Sequence, residues 1–177
     1  MEILNTFAFQ NRSMGRLELV MESEFLSVYS PKYDGESLTE FEKFLSLGPS
    51  FEKAGVKNDF DSIVSVISKM YNECGARENL FRLEGGRVKA MPLFTSGRRN
   101  KAVGTLRLYC LRISERILII GGGGVKKVQR YEDDAALNDI VRGLRVIERK
   151  IKAAVRKSEM DIENFEGIKG IVDNIEI

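Results

Sequence analysis

Arg107 and Tyr109 stand two residues apart in the run Thr105-Leu-Arg-Leu-Tyr-Cys110, and Arg87 and Lys89 repeat that spacing upstream. On a strand, residues two apart point to the same side, and antiparallel neighbours set such pairs side by side. A sheet face of Arg, Lys and Tyr suits a phosphate backbone and an unstacked base. The plainer reading is a solvated face whose alternation keeps one side wet. The distribution of charge weighs against it. Residues 77–131 carry 13 basic and 3 acidic side chains, net +10, while residues 1–76 are net −5 and 132–177 net −3, within a chain of net +2. A basic centre between acidic flanks points to an anionic partner, with nucleic acid first. Arg87, Arg98, Arg99, Lys101 and Lys126 are the candidate nucleic-acid-binding residues, three of them at the tip of the loop 95–104.

The chain has no histidine, which excludes His-based triads, His zinc sites and the usual general acid–base residue. Chemistry is left to Lys, Arg, Tyr, Glu, Asp or Ser. Cys74 and Cys110 form no CxxC, so both read as reduced structural thiols. The run Glu132-Asp133-Asp134 stands at a helix start, where capping explains it better than a metal. No cofactor or metal is expected. Gly121–Gly124 followed by Val125-Lys-Lys127 matches neither GxxxxGK[ST] nor GxGxxG in a βαβ setting. Those glycines permit a sharp turn or a close approach to a ligand and deliver Lys126, Lys127, Arg130 and Tyr131 to the sheet edge. Beside Lys127 and Arg130 the Tyr131 phenolate would be favoured and its pKa lowered; the alternative is a packed aromatic.

These residues need elements to hold them. Arg16–Met21 alternates as a strand, and Phe25–Ser30 is a second strand ended by Pro31. Ser37-Leu-Thr-Glu40 reads as a capping box for a short helix with Leu38, Phe41, Phe44 and Leu45 on one face. A second helix starts at Asn58 or Asp59 and carries Phe60, Ile63, Val64, Ile67, Met70 and Tyr71 as far as Gly75. Strands over 87–93, 105–113 and 116–120 form an antiparallel meander, with the uniformly apolar 116–120 at its centre. Asp133 or Asp134 caps a long last helix with the stripe Leu137, Ile140, Val141, Leu144, Ile147, Ile151 and Val155. Its outer face carries Arg142, Arg145, Arg149, Lys150 and Lys152. Residues 158–177 read as a small strand or hairpin, or as a peripheral arm. The fold class is α+β: N-terminal strands and a helical hairpin on an antiparallel meander, followed by a long C-terminal helix, in a single domain over 1–177. No run approaches the ~20 apolar residues of a membrane helix, and residues 1–12 lack signal-peptide features, so a cytoplasmic protein without membrane partners is expected.

In this order of elements the chain resembles the RelE/ParE superfamily of toxins from type II toxin–antitoxin systems. The residues that carry the likeness are Gly75-Ala-Arg-Glu-Asn-Leu-Phe-Arg82, Arg87-Val-Lys89, Gly104-Thr-Leu-Arg-Leu-Tyr109, Ile117–Ile120, Gly124-Val-Lys-Lys127 and Arg130-Tyr131. It covers residues 25–155, with 1–24 an extension and 156–177 a tail, and the Gly121–Gly124 run departs from the pattern. The resemblance implies a metal-independent endoribonuclease that cleaves mRNA at the ribosome by 2′-OH attack and is neutralised by an antitoxin protein. It further implies Arg107 as phosphate-binding cation, Lys89 as second cation or base, Lys127 and Arg130 as further cations, and Tyr131 as base or acid. ParE-like members bind gyrase instead, so a non-catalytic module binding protein or nucleic acid is the alternative.

Overall fold

The computed structural model describes residues 14–84, 86–92, 104–128, 130–159, 161 and 164–177. β1 (Gly15–Glu22) and β2 (Ser27–Tyr33) form an antiparallel hairpin. The helices α1 (Glu40–Ser46) and α2 (Ala54–Lys69) follow, and α2 runs on through a π turn to Gly75. The strands β3 (Arg82–Leu83), β4 (Val88–Met91), β5 (Leu106–Arg112) and β6 (Ile117–Val125) come next, then α3 (Ala135–Lys157) and α4 (Phe165–Asn174).

One six-stranded sheet unites the strands in the order β1-β2-β6-β5-β4-β3. Among the described strands only β2 and β6 pair in parallel, with Ser27, Val28 and Tyr29 opposite Ile117, Leu118 and Ile119. β6 is therefore internal, as its apolar run predicts. It is buried on both faces because helices cover both. On one side Val28, Leu118, Ile120, Leu106 and Leu108 pack with Phe41, Phe44, Ile63 and Ile67 of α1 and α2. On the other, Tyr29, Ile117, Ile119, Tyr109 and Leu111 pack under Val141, Leu144, Ile147 and Ile151 of α3 and Ile168 and Val172 of α4. The result is three layers, with the α+β class and the long C-terminal helix as expected.

Local chemistry explains the departures from expectation. The helix start at 37–40 offers two overlapping S/T-x-x-E patterns. The one used is Thr39 with Glu42, whose carboxylate accepts the Thr39 N–H at 2.7 Å. That frame buries Phe41 and Phe44 and leaves Leu38 41% exposed. α2 begins at Ala54, earlier than Asn58, because Asp59 is not a cap. Asp59 is buried, and its Oδ2 accepts the Leu106 N–H at 3.1 Å, tying α2 to the start of β5. β2 continues through Pro31 to Tyr33. β6 pairs with β2 only as far as Tyr29, so the proline sits where one side of the strand has no ladder.

Asp134 caps α3 through the Leu137 N–H. Burial of Leu137, Val141, Leu144, Ile147, Ile151 and Val155, at roughly 1.5–3 kcal/mol each, outweighs the ~1 kcal/mol cost of Gly143 inside the helix. The tail is a helix instead of a strand or hairpin. Ile168, Ile171, Val172 and Ile175 follow i, i+3, i+4, i+7 spacing, and Ile168 and Val172 are fully buried. Only its last residues return to the sheet, where Gly15 and Ile177 exchange backbone hydrogen bonds of 2.9 and 2.8 Å.

Candidate anion-binding site

β5 sorts the central basic residues. Leu106, Leu108 and Cys110 face α1 and α2, and Tyr109 and Leu111 face α3; by strand alternation Arg107 lies on the α3 face with Tyr109. Directly opposite on β6 stand glycines, Gly124 across from Arg107 and Gly122 across from Tyr109. Gly121–Gly124 is therefore not a turn but the second half of a strand, with a bulge that pairs Tyr109 with Gly122 and Cys110 with Ile120. Close approach is the reason for glycine here. A Cβ on Gly123 would lie 2.0 Å from the Arg107 carbonyl oxygen, and one on Gly121 would lie 2.7 Å from the Leu144 side chain. With no side chains across from Arg107 and Tyr109, the sheet floor there stays open.

Over this floor lies a cavity of about 310 Å³. β5 contributes Arg107 and Tyr109, and β3 with its exit contributes Arg82 and Glu84. Lys126 follows β6, and Arg130, Tyr131 and Glu132 come from the turn into α3. Four cations thus meet two carboxylates and two phenols. The Tyr109 and Tyr131 rings are 5.8 Å apart at 57°. Arg145 of α3 donates to the Tyr131 hydroxyl at 3.2 Å, Arg82 stands 3.5 Å from Glu84, and Arg107 donates to the Leu106 carbonyl at 3.1 Å.

Burial governs the protonation of these groups. It raises the pKa of Glu84 against the opposing pull of Arg82, Arg107 and Lys126. It lowers that of Lys126, helped by the nearby Arg107 and Arg82, and lowers that of Arg107. It raises both tyrosines. The expectation of a lowered Tyr131 pKa is overturned: burial outweighs the attraction of Arg145. Tyr131 is a protonated donor at neutral pH, not a phenolate.

The sequence-derived candidates divide. Arg107, Lys126, Arg130 and Tyr131 converge on the cavity. Lys89 does not. It points through the opposite face of β4, where it is buried and bonded to Glu78, which Arg112 also contacts at 3.3 Å. The alternation Val88-Lys89-Ala90 sends Val88 and Ala90 to the α3 side and Lys89 away from it. Lys127 is exposed and lies outside the cavity lining, its N–H donating to Asp134 Oδ2 at 3.3 Å. Arg87 is outside it too, its guanidinium donating to the Ile113 carbonyl. Arg98, Arg99 and Lys101 lie outside the described residues.

Arg82, Glu84 and Glu132 also line the cavity without being sequence-derived site candidates, and Tyr109, which the strand spacing pairs with Arg107, lies beside it. β3 is only two residues long, too short for periodicity to announce, although the Arg82-x-Glu84 spacing was a usable signal. Among the described residues no group of three or more His, Cys, Asp or Glu could hold a metal ion, and no helix is long and apolar enough to cross a membrane. No protein-family model, no curated protein and no solved structure matches the chain. Its class thus rests on the fold and the site: an α+β protein with one two-sided sheet and a basic, tyrosine-lined cavity at one end of it.

Proposed function

We propose that this chain is a RelE-like toxin, a metal-independent endoribonuclease that cleaves mRNA by 2′-OH attack and is neutralised by an antitoxin protein. The observation that carries the reading is the convergence of Arg107, Lys126 and Arg130 with Tyr131 and the raised-pKa carboxyl of Glu84 in one cavity. The cations stabilise charge on the phosphoryl oxygens. Glu84, as carboxylate, takes the proton of the 2′ hydroxyl as the O2′–P bond forms. The P–O5′ bond breaks, and Tyr131 gives its proton to the leaving 5′ oxygen. The products are a 2′,3′-cyclic phosphate and a 5′ hydroxyl.

One observation favours a second reading, a non-catalytic module on the same fold that binds a protein, such as a gyrase-like target, or nucleic acid. Arg107 is only 2% exposed, so its guanidinium offers a scissile phosphate almost no open surface. Induced expression in bacterial cells, with 5′-end mapping of mRNA, separates the two. Wild type should arrest growth and create new 5′ hydroxyl ends, while Glu84→Gln and Tyr131→Phe should do neither. Arrest without new ends would move the conclusion to the binding module, and no arrest would refute the toxin reading.

A further inference from the structure

Among the described residues, the exposed face of α3 gathers positive charge apart from the cavity. Arg142, Arg145, Arg149 and Lys152 line an open groove of about 650 Å³ that runs between α3 and Gly86, at the turn joining β3 to β4. The spacing i, i+3, i+7, i+10 keeps all four on one side of the helix, over a length of about 15 Å. Among the described residues Glu148 is the one carboxylate in the lining, and Lys152 pairs with it at 2.6 Å. The three arginines are therefore not offset by acids within the groove.

Two contacts join this groove to the cavity. Arg145 belongs to the groove, and its guanidinium reaches the hydroxyl of Tyr131 inside the cavity lining at 3.2 Å. The β3–β4 connection also borders both, with Arg82 and Glu84 on the cavity side and Gly86 on the groove side. Arg145 is the groove residue that touches the cavity, with Arg142 about one turn to one side of it along α3 and Arg149 about one turn to the other.

We propose that the α3 groove is a second binding site for single-stranded RNA, which holds the phosphates of nucleotides flanking those in the cavity. The proposal rests on the ribonuclease reading of the cavity and adds to it the path of the strand. Guanidinium groups spaced along one helix face grip successive phosphates bidentately and carry no base preference. The cavity selects and positions; the groove adds affinity in proportion to RNA length. An acidic protein segment is the rival occupant.

The test is fluorescence anisotropy with a labelled trinucleotide and a labelled oligoribonucleotide of about twelve nucleotides, both carrying 2′-O-methyl groups so that they are not cleaved. Arg142→Gln/Arg149→Gln should lower affinity for the longer RNA by about tenfold, and should reduce the slope of log affinity against log salt by ~1.4, about 0.7 for each lost phosphate contact. Binding of the trinucleotide should stay unchanged. Arg142→Lys/Arg149→Lys, which keeps the charge, should recover most of the loss and the full slope. Equal affinity of the double glutamine variant and wild type for the longer RNA would overturn the groove and leave the groove to an acidic partner. A trinucleotide that weakens in parallel with the longer RNA would also overturn it. Failure of the wild type to bind either RNA would instead remove the ribonuclease reading, and the groove with it.

Discussion

Glu84 is where the chemistry of the site is most open to measurement. It sits among Arg82, Arg107 and Lys126, yet burial still holds its carboxyl above the ordinary glutamate range near about 4.3. A group whose pKa is higher folded than unfolded stabilises the protein below its unfolded pKa and loses that contribution as pH rises through the folded value. Glu84→Gln removes the titration. The wild type is expected to gain stability relative to E84Q as pH falls from neutral towards the unfolded value, as urea midpoints across a pH series would report. A constant difference would mean that Glu84 keeps its ordinary pKa. Lys89 teaches the opposite lesson. Its ammonium is buried against Glu78 on the far side of the sheet from the cavity. Glu78→Ala leaves that ammonium unpaired and should cost roughly 1–3 kcal/mol, while cleavage by the folded fraction stays intact. A loss of cleavage without a loss of stability would restore Lys89 to the site.

At the level of elements, β6 joins the two halves of the sheet and forms the floor of the cavity. Its glycines differ in what they permit, and so in what they should cost. Gly123→Ala drives a methyl into the Arg107 carbonyl, which is backbone and cannot yield; a loss of more than ~3 kcal/mol is expected. Gly121→Ala meets the Leu144 side chain of α3, which can shift, so about 1–3 kcal/mol should be lost. Gly124→Ala meets only Leu137 at an ordinary 3.7 Å and should be the mildest of the three. Denaturant midpoints ranking 123, 121, 124 from most to least damaging would support this account of the strand. Any other order would assign the glycine run to something other than close packing. The sequence marks the run as unusual and suggests a turn or a close approach to a ligand, because four glycines break strand propensity; burial and pairing on both sides of β6 make it a strand instead.

On the scale of the whole molecule, the amino-acid sequence by itself determined the partition of charge, the absence of histidine chemistry, and most of the element order. Periodicity is local, so the stripe of α3, the core face of α2 and the central, apolar character of β6 could all be read from spacing alone. So could the pairing of Arg107 with Tyr109, because two residues on one strand share a side whatever the fold. Tertiary structure alone decided which cations meet. Whether Lys89 joins Arg107 depends on the β4–β5 register and on which face of the sheet each residue occupies. The pairing of Lys89 with Cys110 and of Ala90 with Tyr109 sends the lysine to the other side. The same holds for Arg82 and Glu84, which a two-residue strand brings in from the far edge of the sheet, and for Tyr131, whose pKa burial raises against the pull of Arg145. Desolvation and strand register are sums over neighbours distant in sequence, and no window along the chain contains them.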